Sequence, residues 1–242
     1  MFVLSLLSLI SALAFGADGP SILNAMDDAA NKASDQFIEY QLINQEPGKK
    51  EPRQMAFSVH LRGGKVLTEF KAPADLKDTR VLVLSRTQMY IYLPAYRKVR
   101  RIASHVTQQG FMGTTYSHSD MSAGRFGDVY QAKLLQETEE SWSLELTAKP
   151  DSKAPYARAL LDVRKKDHLP SRLAYYDEKG THLKTETRSD YKCDGAVCIP
   201  TVMRMEDHQR KGAWTELRMK DWKIDTAFSD DIFSVRNLQR GL

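Results

Sequence analysis

The sequence predicts a mainly β protein, built on one large antiparallel sheet that curls into a barrel or part of one. Two observations predict it. From about residue 37 onward apolar residues recur with a period of two, the period that sends successive side chains to opposite faces of a strand. These runs are short and follow one another at hairpin spacing. Turn signals such as Gly63-Gly64, Asp177-Glu178-Lys179-Gly180 and Gln209-Arg210-Lys211-Gly212 separate them. No repeat, low-complexity segment or linker divides the chain.

Residues 1–16, MFVLSLLSLISALAFG, form an apolar run ending in small residues. Spanning a bilayer takes about 20 apolar residues, so the run reads as a secretory signal peptide cleaved near Ala17. No Lys or Arg precedes it, and no Cys stands near its end to carry a lipid. The expected product is an exported periplasmic protein, with residues 17–242 as a single domain. Asp18-Gly19-Pro20-Ser21 looks like a helix start. Ile22, Met26, Ala29 and Ala30 then share one helical face, which predicts a short amphipathic helix over residues 21–34.

Strands follow. Residues 37–44 make the first. Residues 54–62 alternate Met55, Phe57, Val59 and Leu61 on one side, and Gly63-Gly64 turns the chain into 65–71. Residues 80–86 and 88–93 are rich in Val, Ile and Tyr, as strands prefer, and Pro94 ends the second. Residues 95–126 read as irregular, with Gly110, Gly113 and Gly124 among scattered Phe111, Met112, Tyr116 and Met121, and at most a helical turn over 119–123. Long irregular segments in a compact domain are usually functional or mobile. The second half reads as a meander over 129–136, 141–148, 157–164, 169–176, 182–191, 197–207 and 213–225.

A chain of 242 residues buries a sizeable core. Its net charge of +4 falls well short of a nucleic-acid binder's and supports only a weak preference for anionic surfaces. The two cysteines, Cys193 and Cys198, lie in KCDGAVCIP. A close pair in an exported protein suggests a disulfide, and Asp194-Gly195 between them is a hairpin signal. A redox pair or half a metal site fits less well, because the spacing is not Cys-x-x-Cys and no second pair completes a zinc set.

No nucleophile elbow, phosphate-binding loop, dinucleotide fingerprint or His-Glu-x-x-His helix is present. Ser117, His118 and Asp120 tempt a triad reading, yet neighbours on a strand point to opposite faces. Two ligands, His118 and Asp120, are too few for a metal. The expectation is therefore no catalytic residue, no metal and no cofactor. Arg97, Lys98, Arg100 and Arg101 read either as a solvated strand edge or as a dock for phosphate or carboxylate groups. Met112 and Met121, in a Gly-containing segment, suit a surface that accepts varied apolar ligands.

Met89-Tyr90-Ile91-Tyr92-Leu93-Pro94-Ala95, the basic stretch Lys98-Val99-Arg100-Arg101-Ile102, then Phe111-Met112-Gly113-Thr114 and Tyr116-Ser117-His118-Ser119-Asp120-Met121 together resemble the outer-membrane lipoprotein-sorting family, the LolA-like periplasmic proteins. Gly195-Ala196-Val197-Cys198-Ile199-Pro200 and Asp230-Asp231-Ile232-Phe233-Ser234 with Leu238 extend the resemblance over nearly the whole mature chain. It implies a curved antiparallel sheet forming an unclosed barrel, with a short N-terminal helix and a lid of loops and helices. The concave face would hold acyl chains, and the protein would be a carrier rather than an enzyme. The implied function is transfer of an acylated lipid or lipoprotein between envelope membranes, with transient membrane contact. Many members look like companions of RND-type exporters of the inner membrane. The alternative is a non-transporting accessory or sensor module of such an exporter or of an envelope-stress system. Within such a fold Phe57 and Val59, with Tyr90 and Tyr92 beside them, are expected to line the cavity. Phe111, Met112 and Met121 are expected to form its movable cover, freed by Gly110 and Gly113. Arg97, Lys98, Arg100 and Arg101 would dock a headgroup or an acidic partner.

Overall fold

A computed structural model describes residues 17–103, 110–122 and 124–241; the expected signal peptide lies outside them. The first half holds β1 (Asp35–Gln45), β2 (Arg53–Arg62), β3 (Lys65–Ala72), β4 (Arg80–Ser85), β5 (Gln88–Leu93) and β6 (Lys98–Ile102). The second holds β7 (Tyr130–Glu137), β8 (Ser141–Ala148), β9 (Arg158–Arg164), β10 (Pro170–Tyr176), β11 (His182–Asp194), β12 (Val197–Asp207) and β13 (Ala213–Ile224). All thirteen lie in one sheet of order β6-β5-β4-β3-β2-β1-β13-β12-β11-β10-β9-β8-β7. Neighbours pair antiparallel throughout. Every pair is a sequential hairpin except β1 with β13, which joins the chain's two ends. β6 and β7 remain as unpaired edges, so the barrel is unclosed.

Among the described residues three α-helices accompany the sheet: α1 (Gly19–Ala30), α2 (Phe126–Val129) and α3 (Val235–Arg240). Asp18 caps α1 by accepting from Ser21 N at 2.8 Å. The helix stops four residues short of its predicted end, because Asn31 folds back and donates to the Asp27 carbonyl, freeing the chain to start β1. Ile22, Leu23 and Met26 are buried against the sheet. Gly19 sits so close to β7 that a Cβ there would lie 2.7 Å from the Ala132 carbonyl oxygen, so this contact admits only glycine.

The sheet's two faces are covered differently. On the inner face Tyr40, Phe57, Phe70 and Phe111 form a run of rings with centroids 5.7, 5.4 and 5.7 Å apart. Ile38, Met55, Val81, Val83 and Met89 join the same core as α1. On the outer face Leu67 and Leu82 are buried with Phe233 and Leu238 of the C-terminal segment, and Tyr90, Tyr92 and Val99 pack around them. That segment, a 3₁₀ turn at Asp230–Phe233 followed by α3, is absent from the sequence reading, as are α2 and β6. Each is six residues or fewer, too short to display a period.

Asp35 ties the C-terminal segment to the sheet. Its carboxylate is 2% exposed and accepts from Arg62 Nη2, Thr226 N and Thr226 Oγ1 at 2.8 Å each, and from Ala227 N at 3.0 Å. Burial pushes this carboxyl up, but the bonds from Arg62, Thr226 and Ala227 outweigh it and hold the group below the ordinary carboxylate range. A depressed carboxyl stabilises the fold above its unfolded value of about 4 and loses that contribution as pH falls through the folded value. Asp35→Asn should therefore lower stability at pH 7 by about 1–3 kcal/mol. Denaturant titrations should find the gap to the parent protein closing in acid; a gap that does not change with pH would count against the carboxylate's role.

Cys193 and Cys198 are joined by a disulfide. They are directly opposed in the β11–β12 ladder, beside the turn at Gly195, which takes a left-handed φ of 56°. The bridge closes a loop so short that reduction should cost at most about 2 kcal/mol. Thiol labelling of the unfolded, unreduced protein should find no free thiol, and two reactive thiols would be incompatible with the pairing.

Candidate functional site: a cavity under the N-terminal helix

A cavity of about 560 Å³ lies between the inner face of the sheet and α1, within the range of small-molecule sites, roughly 300–1,000 Å³. Ile38, Phe57, Val59, Leu61, Val66 and Leu217 give it an apolar wall. Its rim is built from Met26 and Ala30 of α1, the Gly63-Gly64 turn, and Met121, Ser122, Gly124 and Phe126. The rim is held by Asp27, which is 1% exposed. Its two carboxylate oxygens accept from Phe126 N and Gly127 N at 2.8 Å each, and Arg125 pairs with Asp28 at 2.7 Å. Burial raises the Asp27 carboxyl despite those two bonds.

One side of the cavity is polar. Glu186 and Arg188 on β11, Asp120, and Tyr116 reach it. Arg188 Nε donates to Glu186 Oε1 at 2.7 Å, and Tyr175 Oη donates to Glu186 Oε2 at 3.1 Å. Burial works against the Arg188 charge, but Glu186 outweighs it and the guanidinium's pKa rises. The Tyr116 hydroxyl is buried with no hydrogen-bond partner among the described residues, and burial raises its pKa well above the ordinary phenol value.

Asp120 is fully engaged. It accepts from Ser117 N at 2.7 Å, from Tyr156 Oη at 2.9 and 3.1 Å, and from Lys184 Nζ at 3.1 Å. Ser117 Oγ accepts from Asp120 N at 3.2 Å. The His118 ring stands edge-on to Phe111 at 5.1 Å. These three residues form a braced turn, and none is arranged as a nucleophile facing its base.

Phe57, Val59 and Met121 line the cavity. Phe111 and Met112 do not. Phe111 is 2% exposed and belongs to the run of rings, while Met112 is half-buried against the core. Of the residues expected to form a movable cover, Met121 lies at the cavity, while Phe111 and Met112 belong to a plug inside the barrel over residues 110–117. Thr115 N donates to Thr215 Oγ1 at 2.9 Å, Thr115 Oγ1 to the Met205 carbonyl at 3.0 Å, and Thr215 Oγ1 to Asn44 Oδ1 at 2.7 Å. The two glycines serve tight geometry rather than motion. Gly113 has a φ of 81°, and a Cβ on Gly110 would stand 2.8 Å from the Thr114 carbonyl oxygen.

Tyr90 and Tyr92 lie on the outer face, away from the cavity, packed near Phe233 and Leu238. Their β5 neighbours Met89 and Ile91 face inward. The register of the β3–β4–β5 hairpins sets this parity, and a strand apolar on both faces does not display it. Arg97, Lys98, Arg100 and Arg101 are all exposed, with Arg97 in the left-handed region at φ 50°. Arg97 sits in the turn before the edge strand, and Lys98, Arg100 and Arg101 stand on that strand and divide between its faces. Arg100 pairs with inward-facing Ile91, and Arg101 with outward-facing Tyr90.

Arg188, Glu186 and Tyr116 escaped the sequence reading. Glu186-Thr187-Arg188 has the look of any solvated strand. The one available signal is a spacing of two, which puts Glu186 and Arg188 on the same face.

Comparison with known proteins places this geometry. A family model described only as an uncharacterized protein matches residues 63–240. No curated protein matches. A putative outer membrane lipoprotein-sorting protein domain from Vibrio parahaemolyticus is 25% identical with a TM-score of 0.83, over 92% of this chain and 98% of that one. A DUF1329 family protein from Desulfovibrio piger is 26% identical with a TM-score of 0.84, over 91% and 97%. A LolA superfamily protein from Nitrosomonas europaea shares the fold at 20% identity, with a TM-score of 0.76 over 91% and 99%. The chain belongs to the uncharacterized family of that model, and its fold is that of the LolA-like outer-membrane lipoprotein-sorting proteins.

Proposed function

We propose that this protein is a periplasmic carrier that binds the acyl chains of a lipid or lipoprotein in the cavity beneath α1. The observation that carries the reading is the cavity itself, a space of about 560 Å³ with an apolar wall between the sheet and α1. An acyl chain leaving water for such a space gains roughly 0.8 kcal/mol per CH₂. The likeness to a lipoprotein-sorting domain supports the reading. The disulfide supports export, since such bonds persist in oxidising compartments. No helix among the described residues is long and apolar enough to cross a membrane.

Native mass spectrometry of protein purified from its own compartment should detect a retained acylated molecule. Met121, half-buried on the rim, is a better probe than Phe57, which is sunk in the run of rings and whose loss would disturb the fold. Met121→Glu should weaken binding of the neutral fluorophore N-phenyl-1-naphthylamine about tenfold, by setting a charge beside an apolar ligand. Protein that arrives bare and takes up no apolar probe would end the carrier reading.

The exposed arginines of β6 fit a docking role for an anionic headgroup or an acidic surface. Double charge reversal, Arg100→Glu with Arg101→Glu, should weaken binding to anionic liposomes, and most strongly at low salt, where surface charge is least screened. Unchanged binding would leave these residues as guards of a sheet edge.

A further inference from the structure

The cavity is not uniformly apolar, and its polar side has an unusual surplus of donors. Glu186 is 4% exposed and uses one carboxylate oxygen for Arg188 Nε and the other for the Tyr175 hydroxyl. Arg188 has five N–H donors, and only the Nε donor meets a protein acceptor. Its side chain is 21% exposed, and the cavity is where it surfaces. Its two terminal nitrogens have no acceptor among the described residues, and the side chain lines the cavity. Tyr116 stands beside them, close enough that the charges of Glu186 and Arg188 both act on its hydroxyl. That hydroxyl is buried and unpartnered among the described residues. A buried donor left without a partner costs about 1–3 kcal/mol, a cost that an acceptor atom reaching this hydroxyl would remove.

Charge decides which acceptor fits. Glu186 balances Arg188, and Lys184 balances Asp120 at 3.1 Å. The wall donates hydrogen bonds without presenting a net positive field. A phosphate dianion would meet two carboxylates there. A carboxylate carries less charge than the dianion and a neutral carbonyl carries none, and either offers planar oxygens to the fork of a guanidinium.

We propose that the Arg188 guanidinium and the Tyr116 hydroxyl form a seat for the carboxyl oxygens of an acyl ligand whose chain lies along Ile38, Phe57 and Val59. This rests on the acyl-binding reading of the cavity and adds where the head of the chain is held. The carboxyl group is either the free carboxylate of a fatty acid or the ester carbonyl of a lipid or lipoprotein; the seat recognises the chemistry they share.

The test is displacement of N-phenyl-1-naphthylamine by laurate and by methyl laurate. The proteins are the exported chain, Tyr116→Phe, and the charge-balanced double variant Glu186→Gln with Arg188→Met. Affinity is expressed relative to that for the neutral fluorophore. In the double variant the relative affinity for laurate should fall about tenfold or more, the factor a charge-assisted hydrogen bond supplies. In Tyr116→Phe it should fall several-fold while the melting temperature stays level or rises, since the variant removes an unpartnered hydroxyl; a merely structural tyrosine would not separate the two. An equal loss for methyl laurate identifies the ester carbonyl as the natural acceptor, and a loss confined to laurate identifies the free carboxylate. Relative affinities unchanged in both variants would overturn the seat and leave the acyl reading standing. A parent protein that binds neither the fluorophore nor either laurate compound would overturn both.

Discussion

The pairing of β1 with β13 is the contact on which the rest of this structure depends. All other ladders are hairpins between neighbours in sequence. Without β1–β13 the chain is two separate meanders, each with an exposed apolar face. The pairing runs from Gln36 opposite Ile224 to Gln45 opposite Trp214, so its closure brings together segments nearly the whole chain apart. Asp35 stands at its end and gathers Arg62, Thr226 and Ala227, fixing where β13 stops and where the C-terminal segment turns outward. Such a long-range closure is entropically expensive and comes late compared with hairpins.

Once the halves are joined, the curved sheet encloses more space than its own side chains fill. The chain supplies two inserts. The Phe111–Ser117 plug occupies one end, anchored to Asn44, Met205 and Thr215. α1 lies across the other, pressed on β7 at Gly19 and latched to residues 126–127 through Asp27. The cavity is what remains between the inserts, and its rim is a helix packed by side chains plus one carboxylate latch. Outside, α3 and its 3₁₀ turn cover β3 to β5, where a row of apolar side chains would otherwise face water.

The polar wall is the point where the protein departs from a plain greasy pocket. Four charges and several tyrosines are brought to one side of an apolar space and almost wholly satisfied by one another. The exceptions, the Arg188 terminal nitrogens and the Tyr116 hydroxyl, belong to side chains that line the cavity. Partly satisfied buried networks are costly, which is why an acceptor completing this one is the proposed role of the wall.

The strand set, the hairpin turns and the cysteine pair were legible in the sequence because each is local. Period two in residues 54–62 and 88–93, the turn at Gly63-Gly64 and the loop between Cys193 and Cys198 need only neighbours a few residues away. The resemblance of residues 89–121 to the lipoprotein-sorting family likewise carried the curved, unclosed sheet. What only tertiary structure decided is direction. Tyr90 and Tyr92 face outward and Met89 and Ile91 inward, because the parity of β5 is inherited through β4 and β3 from the closure at β1. Phe111 became core rather than lid because Thr115 found Thr215, one hundred residues away. Arg188 became part of the cavity because β11 presents that face to a concavity closed by a helix from the other end of the chain. A sequence displays periods and turns, which are set by adjacent bonds; it does not display which face is inside, because that is settled by pairings between strands far apart along the chain.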